Sequence, residues 1–105
     1  MTDFIQVFIT VNSLKKAREI AGALIKTRLA ACVQISGPIT SMYKWQGKIT
    51  EDQEWLIIAK SDRARFNDLS NEVKQIHPYE VPEILALPVI EGNSSYLNWL
   101  KEELT

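Results

Sequence analysis

Two stretches hold most of the side chains able to do chemistry. One is His77-Pro78-Tyr79-Glu80-Val81-Pro82-Glu83, where two prolines stiffen a loop carrying an imidazole, a phenol and two carboxylates. His77 is the only histidine, so it is the one ordinary proton carrier near neutral pH and a candidate metal ligand. The same loop also reads as a rigid helix-to-strand corner whose polar groups bond the backbone. The other stretch is the Cys32 strand with its neighbours Gln34 and Met42. The sole cysteine in an apolar run is ordinarily a small buried hydrophobe, and becomes a soft metal ligand only when other donors converge on it. Tyr43, Trp45 and Trp55 suit either a stacking platform or the centre of a subunit interface. Glu51, Asp52 and Glu54 read as a solvated strand segment. Lys60, Arg63 and Arg65 suit either an anion near a helix start or an exposed charged turn. A glycine-rich phosphate loop, a serine–histidine–acid set and paired zinc cysteines are all missing, so no enzyme class is specified.

The elements that position these groups are ordered around Ala30 to Lys60. Ile39, Ser41, Tyr43 and Trp45 alternate with Thr40, Met42, Lys44 and Gln46, the period of two expected of a strand. Gly47 offers the positive φ of a tight hairpin turn, and a break is expected at Gly37-Pro38. The returning arm starts polar and ends as Trp55-Leu56-Ile57-Ile58-Ala59, an apolar run expected to be covered on both faces. A hairpin this long projects beyond what a small monomer covers, so its tip meets something else.

Phe4 to Val11 reads as a central strand. Asn12 or Ser13 caps a helix with the stripe Leu14, Ala17, Ala21, Leu24 and Arg28, flanked by Ile20 and Ile25. Ser61 or Asp62 caps a second helix with Phe66, Leu69, Val73 and Ile76 on one side, ended by His77-Pro78. A strand from Glu83 to about Val89 follows, with Pro88 at an edge or end. A last helix carries Tyr96, Leu97, Leu100 and Leu104, with Trp99 beside the stripe. The order β-α-β-β-α-β plus a C-terminal helix is that of an α+β, ferredoxin-like domain with strand order 4-1-3-2, spanning residues 1–105. Its second and fourth strands are edges. Pairing of unlike edges between copies closes into a ring, for which three subunits is a natural number.

The chain has 105 residues, 24% of them charged, and a net charge of −1. That balance gives no electrostatic case for nucleic acid or an anionic membrane. No apolar run nears the roughly 20 residues of a membrane span, and Met1-Thr2-Asp3 is no signal peptide. One cysteine rules out an internal disulfide and fits a reducing compartment such as the cytoplasm.

Leu29-Ala30-Ala31-Cys32-Val33, Ser41 to Lys48, His77 to Glu83 and Tyr96-Leu97-Asn98-Trp99-Leu100 together resemble the CutA divalent-cation tolerance family, in order from about Val7 to Leu104. The resemblance implies a cytoplasmic homotrimer, similar to that of the PII signalling proteins; the residues themselves point to a non-enzymatic role, with Tyr43, Trp45, Trp55 and Trp99 expected at the interfaces. It also implies a tie to copper or another divalent cation, with His77 and Cys32 at matching positions, and Glu80 is the nearby carboxylate expected to join them. Ile9 and Ile76 stand where copper-linked members carry a cysteine and a second histidine. Two alternatives remain open at this point: a PII-like regulator taking a small anionic ligand or a partner in its inter-subunit clefts, and a stable scaffold.

Overall fold

The computed structural model describes residues 1–105. Strand β1 (Phe4–Val11) leads into α1 (Leu14–Lys26), then β2 (Cys32–Trp45) and β3 (Lys48–Asp62) form the long hairpin. A short 3-10 turn (Arg63–Arg65) precedes α2 (Phe66–Ile76), followed by β4 (Ile84–Pro88) and α3 (Ser94–Leu104). The four strands order as β2-β3-β1-β4, all pairs antiparallel, which is the expected ferredoxin-like sheet.

Helices α1 and α2 cover one face. Ile5, Val7, Ile9, Val11, Ile57 and Ala59 on the sheet meet Ala17, Ile20, Leu24, Leu69 and Val73 on the helices in one apolar cluster. The buried line of α1 therefore runs through Ile20 instead of Ala21, and Ile25 stays exposed. Arg28 lies past the helix in a left-handed conformation (φ 58°), so it extends no stripe. Ser13 is the cap, accepting Lys16 N–H at 3.0 Å. The first-turn lysine that sits badly against the helix dipole is partly answered by a Lys16–Glu19 pair at 2.8 Å. Asp62 caps the 3-10 turn that leads into α2, accepting Arg65 N–H at 3.0 Å, and α2 has no side-chain cap of its own, while the Ser61 hydroxyl goes to the Leu29 carbonyl at 2.6 Å.

The opposite face of the sheet carries no helix along most of its length. Phe8 and Ile58 are paired there and only half-buried, so the apolar run of β3 is covered on one face by this chain and left open on the other. Helix α3 reaches only the far end, where the Lys60 ammonium lies 5.6 Å from the centre of the Tyr96 ring.

Only Trp55–Asp62 of β3 pair with β1, so Lys48–Glu54 and their β2 partners project beyond the sheet as a two-stranded arm. The molecule is accordingly 46 Å long and 25 × 22 Å across. The turn at Gln46-Gly47 has φ of 50° and 79°, the two positive values of a type I′ hairpin.

One irregularity decides what the arm presents. Cys32, Gln34 and Ser36 pair with Lys60, Ile58 and Leu56, but past Gly37-Pro38 the partners of Glu54, Asp52 and Thr50 are Ile39, Ser41 and Tyr43. Between Ser36 and Ile39 β2 advances three residues against two of β3, so its side chains change face. Ile35 faces the helices; Ile39, Ser41, Tyr43 and Trp45 face the open side. Gly37 makes the crossing: its φ is 155°, and a Cβ there would stand 2.7 Å from Trp55 Cδ1.

Candidate functional site

Where the arm leaves the sheet, the end of β1 and the loop after α2 form its floor and wall. His77 ends α2 in an extended conformation, as the proline after it requires. Its ring is buried, 7% exposed, in edge contact with Tyr79 at 4.6 Å between centres. Tyr79 N–H donates to Nδ1 at 3.1 Å, and Nε2 lies 2.7 Å from the Thr10 carbonyl. A backbone N–H only donates and a carbonyl only accepts, so the network assigns the proton to Nε2. Both nitrogens are then used in tying the loop to β1.

That tie aims the rest of the loop at the arm. The Tyr79 hydroxyl donates to Glu54 Oε2 at 2.8 Å, and the Tyr43 hydroxyl donates to Asp52 Oδ2. Burial first, then the hydrogen bond to Glu54, pushes the Tyr79 phenol well above its ordinary range. The bond to Asp52 raises Tyr43 in the same direction. Both phenols therefore stay protonated donors and both carboxylates are acceptors.

Between arm and loop lies a cleft of about 650 Å³. Asp52, Glu54, Glu80 and Glu83 bring four carboxylates to it, and no lysine or arginine lines it. Tyr43, Trp45, Tyr79 and Val81 supply its aromatic and apolar surface. Glu54, expected in a solvated segment, is instead only 8% exposed, because the open face turns it under the Tyr79 loop. Asp52 and Glu54 had no sequence signal as site residues. The partner of Glu54, Tyr79, is 25 positions away from it, and only the fold brings the two together.

The expected metal donors do not gather within one chain. Glu80 is exposed on the cleft, while His77 offers no free nitrogen. Cys32 is half-buried and pairs with Lys60. The His77 contact on Thr10 lies at the level of Leu56 and Ser36, four residues further along, which is about 13 Å of strand. No group of three or more His, Cys, Asp or Glu side chains in the structure is arranged to hold a metal ion. The cleft's donors are oxygens, a set that suits hard divalent cations better than copper, so one chain alone does not fit a copper centre. Ile9 faces the helical core, fully buried. Ile76 packs partly against that same core.

Of the four aromatics expected at interfaces, Tyr43, Trp45 and Trp99 are exposed, Trp45 the most at 62%. Trp55 is half-buried against the chain's own core and backs Gly37. Trp99 stacks on Tyr96, 5.8 Å between centres. No helix is long and apolar enough to cross a membrane.

The family model described as CutA1 divalent ion tolerance protein matches residues 5–103. The divalent-cation tolerance protein CutA of Thermus thermophilus is 54% identical over 96 residues, covering 91% of this chain and 93% of that protein. Human protein CutA is 46% identical over 95 residues, and there the match spans 90% of this chain but only 53% of the relative. Among solved structures, a divalent cation tolerance protein from Thermus thermophilus superposes with a TM-score of 0.93 at 52% identity, covering 95% of this chain and 97% of that one. CutA from Xylella fastidiosa gives 0.96 at 35% identity over 99% and 100% of the two chains. A structure from Archaeoglobus fulgidus, described as a periplasmic divalent cation tolerance protein, gives 0.94 at 37% identity over 97% and 99%. A matching family model over nearly the whole chain, with the same fold in close relatives, leaves one conclusion: this chain belongs to the CutA1 divalent ion tolerance family.

Proposed function

We propose that the protein acts in divalent-cation tolerance as a homotrimer that takes up cations at the cleft beneath its hairpin arm. The observation that carries this reading is the charge of the cleft: four carboxylates and no cationic side chain. Such a field concentrates cations and repels anions, which counts against the anionic-ligand alternative.

Glu80 is the expected donor that stands free on the cleft. A soft site for copper needs donors from another copy, with Cys32 contributing from its own strand. The support for assembly is the open sheet face, the unpaired outer edges of β2 and β4, and an arm whose other face exposes Ile49 (73%) and Met42. The role is non-enzymatic. In support, two of the four carboxylates of the cleft, Asp52 and Glu54, are engaged with tyrosines, and the one imidazole is spent on the backbone. The single unpaired cysteine favours the cytoplasm.

The test is a calorimetric titration of the intact protein with Mn²⁺ and with Cu²⁺, beside Glu80→Gln and Cys32→Ser. Saturable Mn²⁺ binding weakened in Glu80→Gln supports the cleft, and Cu²⁺ binding lost in Cys32→Ser supports a site shared between copies. Binding of neither ion ends the reading.

A further inference from the structure

The inner end of the cleft is shaped for more than a metal ion. Glu54 is more than nine-tenths buried, yet only its Oε2 accepts a hydrogen bond. Its second oxygen has no partner in the chain, and neither salt bridge of the structure involves Glu54. That oxygen is not sealed away but opens onto solvent in the cleft, so it is free to accept from a cation that enters. Asp52 stands two residues away on the same strand face, about 7 Å along β3. Each carboxylate is turned to its own tyrosine, whereas a single ion bound to both would need them to converge within about 2.0–2.6 Å of it.

Around these two acceptors are faces of no use to a metal. Tyr43, Trp45 and Tyr79 present aromatic surface, and Val81, 86% exposed, adds an aliphatic patch at the rim. Aromatic faces beside carboxylates recognise ammonium and guanidinium groups, by cation–π attraction and by donated hydrogen bonds respectively. The volume of about 650 Å³ is that of a small-molecule site.

We infer that the inner cleft binds a small organic cation, two ammonium or guanidinium groups on a short apolar chain, with one on Glu54 and the other on Asp52. This rests on the reading of the cleft as a cation site, and it names the class of cation that the inner end selects.

Agmatine and putrescine are titrated into the intact protein by calorimetry with EDTA present, alongside the neutral diacetylated putrescine. The expected result is saturable binding of either diamine and none of the neutral analogue. Glu54→Gln keeps the shape and still accepts the Tyr79 hydroxyl, and should weaken binding at least tenfold. Trp45→Ala, on the exposed arm, should weaken it about three- to tenfold. No diamine binding, or binding equal in Glu54→Gln, overturns the inference. Should Mn²⁺ bind while diamines do not, the cation reading stands and this one falls; if neither binds, both fall. A Glu54→Gln variant that changes the solution mass without any diamine binding to the parent would mean that a side chain of another copy fills the cleft, which also overturns it.

Discussion

The Nε2–H of His77 donates to the carbonyl of Thr10 across 2.7 Å, joining the exit of α2 to the end of β1, 67 positions earlier. With Nδ1 accepting from Tyr79, the ring fixes the loop that closes the cleft. The only histidine thus acts here through its geometry, holding Tyr79 over Glu54.

Replacing it should therefore cost stability first. His77→Ala leaves the Thr10 carbonyl and Tyr79 N–H without partners in a buried corner, and should lower unfolding free energy by about 2–3 kcal/mol. Denaturant melts measure this. Stability within about 0.5 kcal/mol of the parent would contradict the role of the ring as a tie.

Gly37→Ala tests the change of face in β2. An added Cβ would meet the Trp55 indole at 2.7 Å and the Glu54 carbonyl at 3.1 Å, at a φ that L-residues rarely adopt. A loss of roughly 1–3 kcal/mol is expected. Cation binding at the cleft should weaken with it, because Glu54 follows the displaced backbone.

Alkaline pH should act through the tyrosines. A phenol whose pKa is raised on folding binds its proton more tightly in the native state. Its contribution is then whole below the ordinary value of 10.0 and is lost as pH rises beyond it. Melting temperature should fall above about pH 10, and the fall should be shallower in Tyr79→Phe. An identical slope in parent and variant would contradict the Tyr79–Glu54 bond.

Asp62→Ala removes the acceptor for Arg65 N–H and a 2.6 Å ion pair to the same arginine. Arg65 also donates to the Leu104 carbonyl, so α3 should loosen together with α2. About 1–2 kcal/mol is the expected cost in thermal or denaturant unfolding, most of it from the cap.

Much of this fold was legible in advance because its signals are local. The apolar run Phe4–Val11, the period of two up to Gln46-Gly47, and the stop at His77-Pro78 each identify an element on their own. The sheet order followed from the order of those elements. What stayed hidden depends on registration between distant segments. A break at Gly37-Pro38 is readable, but that it moves Tyr43 and Trp45 onto the face of Glu54 requires the β3 partners. Glu54 reads as solvated charge because the loop that covers it comes 25 residues later, whereas Asp52 is exposed as expected.

The most direct test of the central claim is native mass spectrometry of the intact protein with and without Mn²⁺, repeated on Glu54→Gln together with Glu80→Gln. The expected result is an assembly of three 12.0 kDa chains that takes up one or more cations per chain, and a double variant that assembles alike but takes up none. A monomer, or cation uptake unchanged in the double variant, would contradict it.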